Sequence, residues 1–227
     1  MIANRVVCAD AREFTATLPA ESVGLVVTDP PYIKKYKTNR RKVKGHQFST
    51  EIKGDADPQL IIDIIPQLYR VMKMDSAMYM FCSWDKVGFF KAQLERFFRI
   101  KNMIIWKKNS HTAGDLKGAF GFQYEIIFLV NKGRKLFNGK RITDIWEFDR
   151  LVGKKQQHQN QKPVDLLKQC IEKHSDVGDL VYDPFCGVGS TLVASKALGR
   201  QYLGVELDET YIPIIESRLS QTVLNFK

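Results

Sequence analysis

Short apolar runs alternate with longer amphipathic stretches along most of the chain. The run Val23–Thr28 is rich in β-branched residues and stops at a turn with two prolines, which is typical of a buried strand. Similar runs predict five further strands, at residues 76–82, 100–107, 124–130, 180–182 and 201–205. Apolar residues at helical spacing predict helices at residues 57–74, 84–98, 163–174, 189–198 and 208–219. Asp57 and Pro58 suit the start of the first helix, and Pro66 predicts a kink or a break within it.

This order of elements predicts an α/β fold with a mostly parallel sheet and helices on both faces. Ligands of such sheets bind beyond the carboxyl ends of the strands. Three glycines predict a loop at residues 109–122, whereas the polar, basic stretch 131–161 has too weak a periodicity to predict an element. Side chains that bind ligands are therefore expected directly after the predicted strands.

Length and cysteine content set further limits. The 227 residues suit a single domain over 1–227 that folds without disulfides or a structural metal. The cysteines lack the C-x-x-C spacing of zinc and redox sites, so no metal is expected and all four are predicted to be buried, reduced thiols. They are Cys8, Cys82, Cys170 and Cys186. No leader pattern or bilayer-length apolar stretch is present, which predicts a cytoplasmic protein without a membrane partner.

The charge is strongly basic, with a formal net value of +10 and an isoelectric point of about 9.4. A polyanionic partner explains such an excess, whereas a small neutral substrate does not. Seven basic residues without an intervening acid follow the proline turn: Lys34, Lys35, Lys37, Arg40, Arg41, Lys42 and Lys44. A charge run of this kind is more often a solvated loop. Its position directly after the proline turn favours contacts with nucleic-acid phosphates instead.

The proline turn itself consists of Asp29, Pro30, Pro31 and Tyr32. Two prolines fix the backbone and remove two N–H donors, so the turn presents acceptors, the Asp29 carboxylate and the Pro30 carbonyl, beside an aromatic ring. These groups complement an amine on a flat ring, such as the 6-amino group of adenine. The alternative is a proline-rich strand end with an incidental tyrosine.

A second turn follows the predicted strand at 180–182 and contains Asp183, Phe185, Gly187, Gly189, Ser190 and Thr191. Its glycines allow close approach of a ligand to the backbone, and the following helix N-terminus favours a negative group such as a carboxylate. Glu206 ends the next strand, where an acid can accept hydrogen bonds from ribose hydroxyls, unless it is an ordinary solvated acid. The third glycine of a pyrophosphate fingerprint is missing, which favours a nucleoside without a diphosphate, and S-adenosylmethionine fits.

Three blocks, DPPY at 29–32, QKP at 161–163 and DPFCGVGST at 183–191, resemble the motifs of the bacterial and phage DNA amino-methyltransferases. Their order, with DPPY first and the glycine block last, resembles the beta class of that family. The resemblance implies a Rossmann-like fold that depends on S-adenosylmethionine. The chain departs from the family at Gln159 and Asn160, in HQNQKP where HPTQKP is common, which makes His158 the least secure match, and at Ser190, which replaces a threonine.

The resemblance also implies roles for particular residues. Asp29, Phe185, Gly187, Gly189 and Glu206 would line the cofactor pocket, and Asp29 and Tyr32 would also serve the target base. Three further residues would lie near the cofactor: Asp10 at its adenine, and His158 and Lys162 at its methionine end.

The sequence therefore predicts a site-specific methyltransferase that moves a methyl group from S-adenosylmethionine to N6 of a flipped adenine in double-stranded DNA. Transfer is expected to be an in-line displacement without a metal or a covalent enzyme intermediate, because alignment of an already activated methyl group suffices. A base inside a duplex cannot reach such a pocket, so flipping is required. Segments at about 33–53, 109–123 and 134–157 are expected to contact the DNA.

Several alternatives stay open. Cytosine presents the same amine, but Asp29 favours adenine because the related cytosine enzymes more often carry serine there. Methyltransferases of RNA or of protein glutamine usually place the cofactor block before the proline turn. A noncatalytic nucleic-acid-binding protein would have no need of both motifs. A cognate restriction endonuclease, and a monomer or a homodimer, are compatible with the family.

Overall fold

The computed structural model describes residues 2–33, 57–111, 115–151 and 161–221. Its strands are Arg5–Cys8 (β1), Val23–Thr28 (β2), Met72–Cys82 (β3), Arg99–Lys107 (β4), Tyr124–Lys132 (β5), Ile145–Glu147 (β6), Leu180–Asp183 (β7) and Gln201–Glu206 (β8). Its helices are Ala11–Thr17 (α1), Pro58–Val71 (α2), Val87–Glu95 (α3), Val164–His174 (α4), Ser190–Ala197 (α5) and Ile212–Gln221 (α6). Short 3₁₀ turns precede α3 and α6, at Trp84–Lys86 and Glu209–Tyr211.

The strands form one sheet in the order β1-β8-β7-β2-β3-β5-β4-β6. Parallel pairs join β1 to β8, β8 to β7, β7 to β2 and β2 to β3, and β4 also pairs parallel with β6. Only β5, among the strands in the described ranges, runs in the opposite direction, because it pairs antiparallel with both β3 and β4. The prediction of a mostly parallel sheet is confirmed.

Helices cover both faces of this sheet. Val26 in β2 packs in one buried cluster with Ile61 of α2, whereas its neighbour Val27 packs in another with Leu166 of α4. Successive side chains of a strand point to opposite faces, so the uniformly buried β2 supplies both cores. The predicted α/β fold, with helices on both faces of a mostly parallel sheet, is therefore confirmed.

The junction between α2 and β3 differs from the prediction. The helix ends at Val71, not at residue 74, and Pro66 lies inside one continuous helix without dividing it. Residues Met72 to Asp75 belong to β3, where the register against β2 shifts and Asp75 adopts a left-handed conformation with φ of 56°. The Asp75 carboxylate accepts the backbone N–H of Arg134 at 2.7 Å. Because this polar bulge is held by a distant loop, the helical pattern that continues to residue 74 does not mark the end of α2.

Other predictions need smaller corrections. The helix predicted at 84–98 is a 3₁₀ turn followed by a shorter helix that ends at Glu95. No prediction covered β1, α1 or β6. Cys8 is exposed, since it ends the edge strand β1, and only the other three cysteines are buried as predicted. Within the described ranges, the helices are too short or too polar to cross a bilayer.

Candidate active site

The candidate site lies along the carboxyl edge of the sheet. Four neighbouring strands, β1, β8, β7 and β2, are parallel, so their carboxyl ends meet at the same edge. Each brings an acid predicted from the sequence to that edge: Asp10 follows β1, Glu206 ends β8, Asp183 ends β7 and Asp29 follows β2. The fold thus aligns these acids in the same order as the strands.

We call residues 183–191 together with Glu206 the glycine corner. The Glu206 carboxylate accepts the backbone N–H of Gly187 at 2.8 Å and that of Asp208 at 2.9 Å. The Asp183 carboxylate accepts the N–H of Phe185 at 3.1 Å. Both acids therefore hold the backbone of the turn in place, and these donors are uncharged.

Burial dominates the electrostatics of this corner. It raises the pKa of Asp183 to about 7, although the hydroxyl of Thr191 and the N–H of Phe185 favour the ionised carboxylate. Burial also raises the pKa of Glu206, against the opposing effect of its backbone donors. Ser190 and Thr191 are themselves buried at the start of α5.

The two glycines of this turn serve different needs. Both adopt positive φ, 52° at Gly187 and 76° at Gly189, which favours glycine. A side chain at Gly189 would approach Ile215 of α6 to 2.7 Å, whereas one at Gly187 would meet nothing within 4 Å. Gly187 therefore borders open space next to the Glu206 carboxylate, and Gly189 allows the packing of α6.

Asp10 lies beside the glycine corner. The N–H of Ala9 donates to the carbonyl of Glu206 at 3.0 Å, which fixes the end of β1 against the end of β8. Asp10 caps α1 and accepts hydrogen bonds from the backbone and the guanidinium of Arg12, each at 2.8 Å. The side-chain bond from Arg12 is the largest cause of a lowered pKa at Asp10. Asp10 is therefore an anchored, ionised acid next to Glu206.

We call Asp29 to Tyr32, with Lys108, Glu125 and Lys162, the proline corner. The hydroxyl of Tyr32 donates to the Asp29 carboxylate at 2.5 Å, and the ammonium of Lys162 donates to the second oxygen of that carboxylate. Lys162 also lies 3.3 Å from the Tyr32 hydroxyl, with its ammonium 5.5 Å from the ring centre. The structure thus brings Lys162, assigned from the sequence to the methionine end of the cofactor, into contact with Asp29 and Tyr32, and the roles of all three stay predictions.

Ile33, directly after the turn, has a φ of 57°. A β-branched residue is strained in the left-handed region, and such strain persists only where surrounding contacts impose it. Ile33 packs against the larger core cluster, which supplies those contacts. The exit of the proline turn is therefore held in a conformation that the sequence alone disfavours.

Glu125 and Lys108 complete the proline corner and were not predicted. Glu125 lies 3.2 Å from the ammonium of Lys162 and 2.5 Å from that of Lys108. Because β5 runs antiparallel, its first residues reach the edge where the other strands end, and Lys108 follows the end of β4 there. A lone acid near the start of an apolar strand was the available signal, but its partners are distant in sequence.

The charges of this corner balance one another. Burial raises the pKa of Asp29, and the ammonium of Lys162 opposes that shift. Burial also disfavours ionised Glu125, but the charges of Lys162 and Lys108 outweigh it and lower its pKa. Burial and the two carboxylates raise the pKa of Tyr32 far above its usual range, so Tyr32 remains a hydroxyl donor. Two carboxylates and two ammonium groups thus alternate in a neutral set.

Several predicted residues lie outside the described ranges. These are His158 and the basic residues Lys34, Lys35, Lys37, Arg40, Arg41, Lys42 and Lys44. The predicted residues within those ranges belong to the two corners, whose turns follow the neighbouring strands β2 and β7, except Asp10, which lies beside the glycine corner. One corner presents an ion-paired carboxylate beside an aromatic ring, and the other presents a carboxylate beside an open glycine.

Comparisons with known proteins agree with this arrangement. A DNA methylase family model, of the N6 and N4 methyltransferases, matches residues 23–217. The DNA adenine methyltransferase YhdJ of Escherichia coli (strain K12) is 29% identical over 96% of this chain and 83% of its own length. The type II methyltransferase M.HinfI of Haemophilus influenzae is 28% identical over 96% of this chain and 68% of its own length. The crystal structure of an M1.HpyAVI–SAM complex covers 95% of this chain and 98% of its own, with a TM-score of 0.70 at 22% identity. The resemblance drawn from the three motifs is confirmed, and the chain belongs to the family of bacterial N6-adenine and N4-cytosine DNA methyltransferases.

Proposed function

We propose that this methyltransferase moves a methyl group from S-adenosylmethionine to the N6 amine of a flipped adenine in DNA, within one domain. The observation that carries the proposal is the Asp29 carboxylate, placed beside the Tyr32 ring at the end of β2 and next to the glycine corner. The similarity to the adenine methyltransferase YhdJ supports adenine as the target.

The glycine corner has the features that S-adenosylmethionine requires. Gly187 borders open space, and the Glu206 carboxylate beside it can accept hydrogen bonds from ribose hydroxyls. Asp10 and Phe185 supply an acid and an apolar ring near the same edge. M1.HpyAVI, which shares the fold, has been solved as a complex with this cofactor. The cofactor supplies a methyl group on a sulfonium, which is already activated for displacement.

The proline corner has the features that an adenine amine requires. The Asp29 carboxylate and the Pro30 carbonyl are acceptors for the two amine hydrogens, and this bonding directs the nitrogen lone pair toward the methyl donor. Tyr32 offers its ring to the base while its hydroxyl holds Asp29 at 2.5 Å. Asp29 can then accept the proton that the amine must lose when its new bond to carbon forms.

Lys162 must change partner for the base to enter. Its ammonium donates to Asp29, where one amine hydrogen would otherwise bond, and it also lies 3.2 Å from Glu125. Glu125 can therefore retain the ammonium while the amine takes its place on Asp29. Lys108, 2.5 Å from the other oxygen of Glu125, keeps that acceptor ionised and fixed. In this scheme Lys162 and Glu125 are positioning residues that act through Asp29.

The basic run after the proline turn is proposed to follow the DNA phosphates, with the segments at 109–123 and 134–157 contacting the rest of the site. The family and the net charge of +10 support this proposal. Replacing Arg40, Arg41 and Lys42 by alanine should flatten the salt dependence of DNA binding by about 0.9 in log–log slope for each phosphate that the variant no longer neutralises. Cofactor affinity should not change, and an unaltered slope would assign the run to solvent.

Labelled methyl transfer tests the proposed reaction. The protein would be incubated with S-adenosylmethionine carrying a labelled methyl group and with unmethylated genomic DNA, and the DNA would then be digested to nucleosides. Label in N6-methyladenine is expected. Label in N4-methylcytosine would show that cytosine is the target base. If the DNA stayed unlabelled and RNA or protein added in its place took up the label, DNA would not be the substrate.

A further inference from the structure

Two aromatic rings stack on each other beside the proline corner. Trp84 and Phe122 have ring centres 5.2 Å apart and planes inclined by 22°. Trp84 opens the 3₁₀ turn that follows β3, and Phe122 lies just before β5. Since β3 and β5 are antiparallel neighbours, the end of one strand and the start of the other meet at the carboxyl edge. We call these two residues the aromatic pair.

The aromatic pair leaves a large apolar surface in solvent. Trp84 is 52% exposed, whereas the other two tryptophans, Trp106 and Trp146, are 2% and 6% exposed. Phe122 covers one side of the indole, so the exposed area offers another side for stacking. A large apolar ring left half in solvent often marks a binding surface. Because Trp84 lies at the edge of the sheet that carries the candidate site, it is a candidate contact for a ligand.

The pair is close to the place proposed for the flipped base. Phe122 is three residues before Glu125, so even a fully extended chain would separate their Cα atoms by only about 10 Å. Glu125 in turn lies 3.4 Å from the hydroxyl of Tyr32. Lys86 and Asp85 belong to the same 3₁₀ turn as Trp84. The backbone N–H of Lys108 donates to the carbonyl of Gln123, next to Phe122, and the Gln123 side chain donates to the carbonyl of Lys108. The net charge of +10 on the chain favours a polyanion over an uncharged partner at this surface.

We propose that the aromatic pair stacks on a base of the substrate DNA that is not methylated, next to the vacancy left by the flipped adenine. Flipping one base removes stacking from its neighbours, and an aromatic side chain at the groove can replace that stacking. Aromatic side chains stack on any base, so this contact would strengthen DNA binding without selecting a sequence. The proposal rests on DNA being the substrate.

Tryptophan fluorescence gives a direct test, because Trp84 alone among the tryptophans is exposed. Acrylamide quenching would be measured with and without a duplex that the protein methylates. DNA should protect the emission of Trp84, and Trp84→Leu, which keeps apolar bulk but removes the stacking face, should abolish the DNA-dependent change. The same variant should weaken DNA binding by about tenfold or more, and Trp84→Phe should recover much of that loss.

Matched controls separate the possible outcomes. Val177→Ala changes another exposed apolar residue, before β7 at the opposite edge, and should leave DNA binding unchanged. S-adenosylmethionine affinity should be the same in all these variants. If DNA is methylated but leaves acrylamide quenching unaltered, the stacking proposal is wrong and the proposed function stands. Quenching that changes with protein concentration in the absence of DNA would instead assign the surface to a second copy of the chain.

Discussion

The two corners of the site both bury carboxylates at the same edge of the sheet, but they stabilise them differently. In the proline corner, Asp29 and Glu125 contact the ammonium groups of Lys162 and Lys108. In the glycine corner, Asp183 and Glu206 accept backbone N–H groups, and within the described ranges neither forms an ion pair. The acid after β2 is therefore stabilised by an ion pair, and the acid at the end of β7 by an uncharged backbone donor.

This difference matches the ligand proposed for each corner. An acceptor for a weakly acidic amine must stay ionised in a buried setting, which a nearby ammonium favours. An acceptor for ribose hydroxyls needs a fixed position, which neutral backbone donors provide, and it can leave part of its capacity for the ligand. Changes in the proline corner should therefore alter the reaction step, whereas changes in the glycine corner should alter cofactor affinity and stability.

The largest effect is expected at Asp29. Asp29→Ala removes the acceptor for the amine, so methyl transfer should fall on the order of 10³-fold, comparable to the loss of a preorganised hydrogen-bonding group in other active sites. The fold should survive, because Lys162 retains Glu125 as a partner. Single-turnover transfer rates and thermal melting would be measured together. Near-native transfer by a folded variant would show that the proline corner does not hold the target base.

The next effect concerns pH. Burial raises the pKa of Asp29 and Lys162 opposes that rise, so Lys162→Met should raise this pKa further. Asp29 would then be protonated at pH values where it is ionised in the wild type, and the rising limb of the pH–rate profile should move to higher pH. Lys108→Met is the matched control, because Lys108 contacts Glu125 and not Asp29. If the rising limb lay at the same pH in wild type and in Lys162→Met, Lys162 would not control the ionisation of Asp29.

A smaller effect is expected at Glu206, in the glycine corner. Glu206→Ala should weaken S-adenosylmethionine binding by about 1.5–3 kcal/mol, the usual contribution of hydrogen bonds to a charged group. Glu206→Gln retains a carbonyl for the Gly187 N–H and should therefore lose less. Calorimetry without DNA measures both. Unchanged affinity in the alanine variant would limit Glu206 to holding the turn.

The smallest effect is on stability. The pKa of Asp183 is about 7, against an ordinary value of 3.8, so the folded state holds a proton that the unfolded chain releases between these values. Stability from this residue is greatest below pH 3.8 and is lost as the pH rises through 7. Wild type should lose about 1.4 kcal/mol between pH 5 and 6 relative to Asp183→Asn. Denaturant unfolding at both pH values checks this. An equal change in the free energy of unfolding for wild type and Asp183→Asn would contradict it.

The sequence predicted most accurately what is local. The acceptors and ring of the proline turn lie within four consecutive residues, and the glycine turn within nine. Parallel pairing then brings these turns to one edge, which follows from the alternation of strands and helices. The bounds of β2 match the prediction because a fully buried strand between turn residues has an unambiguous pattern.

The remaining features depend on distant contacts. Tyr32 and Glu125 are 93 residues apart, and Lys162 is 133 residues from Asp29. Glu125 reaches the site only because β5 is antiparallel, a property that no apolar run reveals by itself. The same is true of the bulge at Asp75, where the bond to Arg134 overrides a helical pattern that continued past Val71.

The central claim is that the proline corner acts on the base and the glycine corner on the cofactor. Its most direct test is the rate of DNA methylation as a function of S-adenosylmethionine concentration, in Asp29→Ala and Glu206→Ala side by side. Excess cofactor should restore the Glu206→Ala rate to near the wild-type value and should leave Asp29→Ala slower than wild type by about 10³-fold at every concentration. Recovery of Asp29→Ala by cofactor, or a Glu206→Ala rate that stays low at saturation, would contradict this division between the corners.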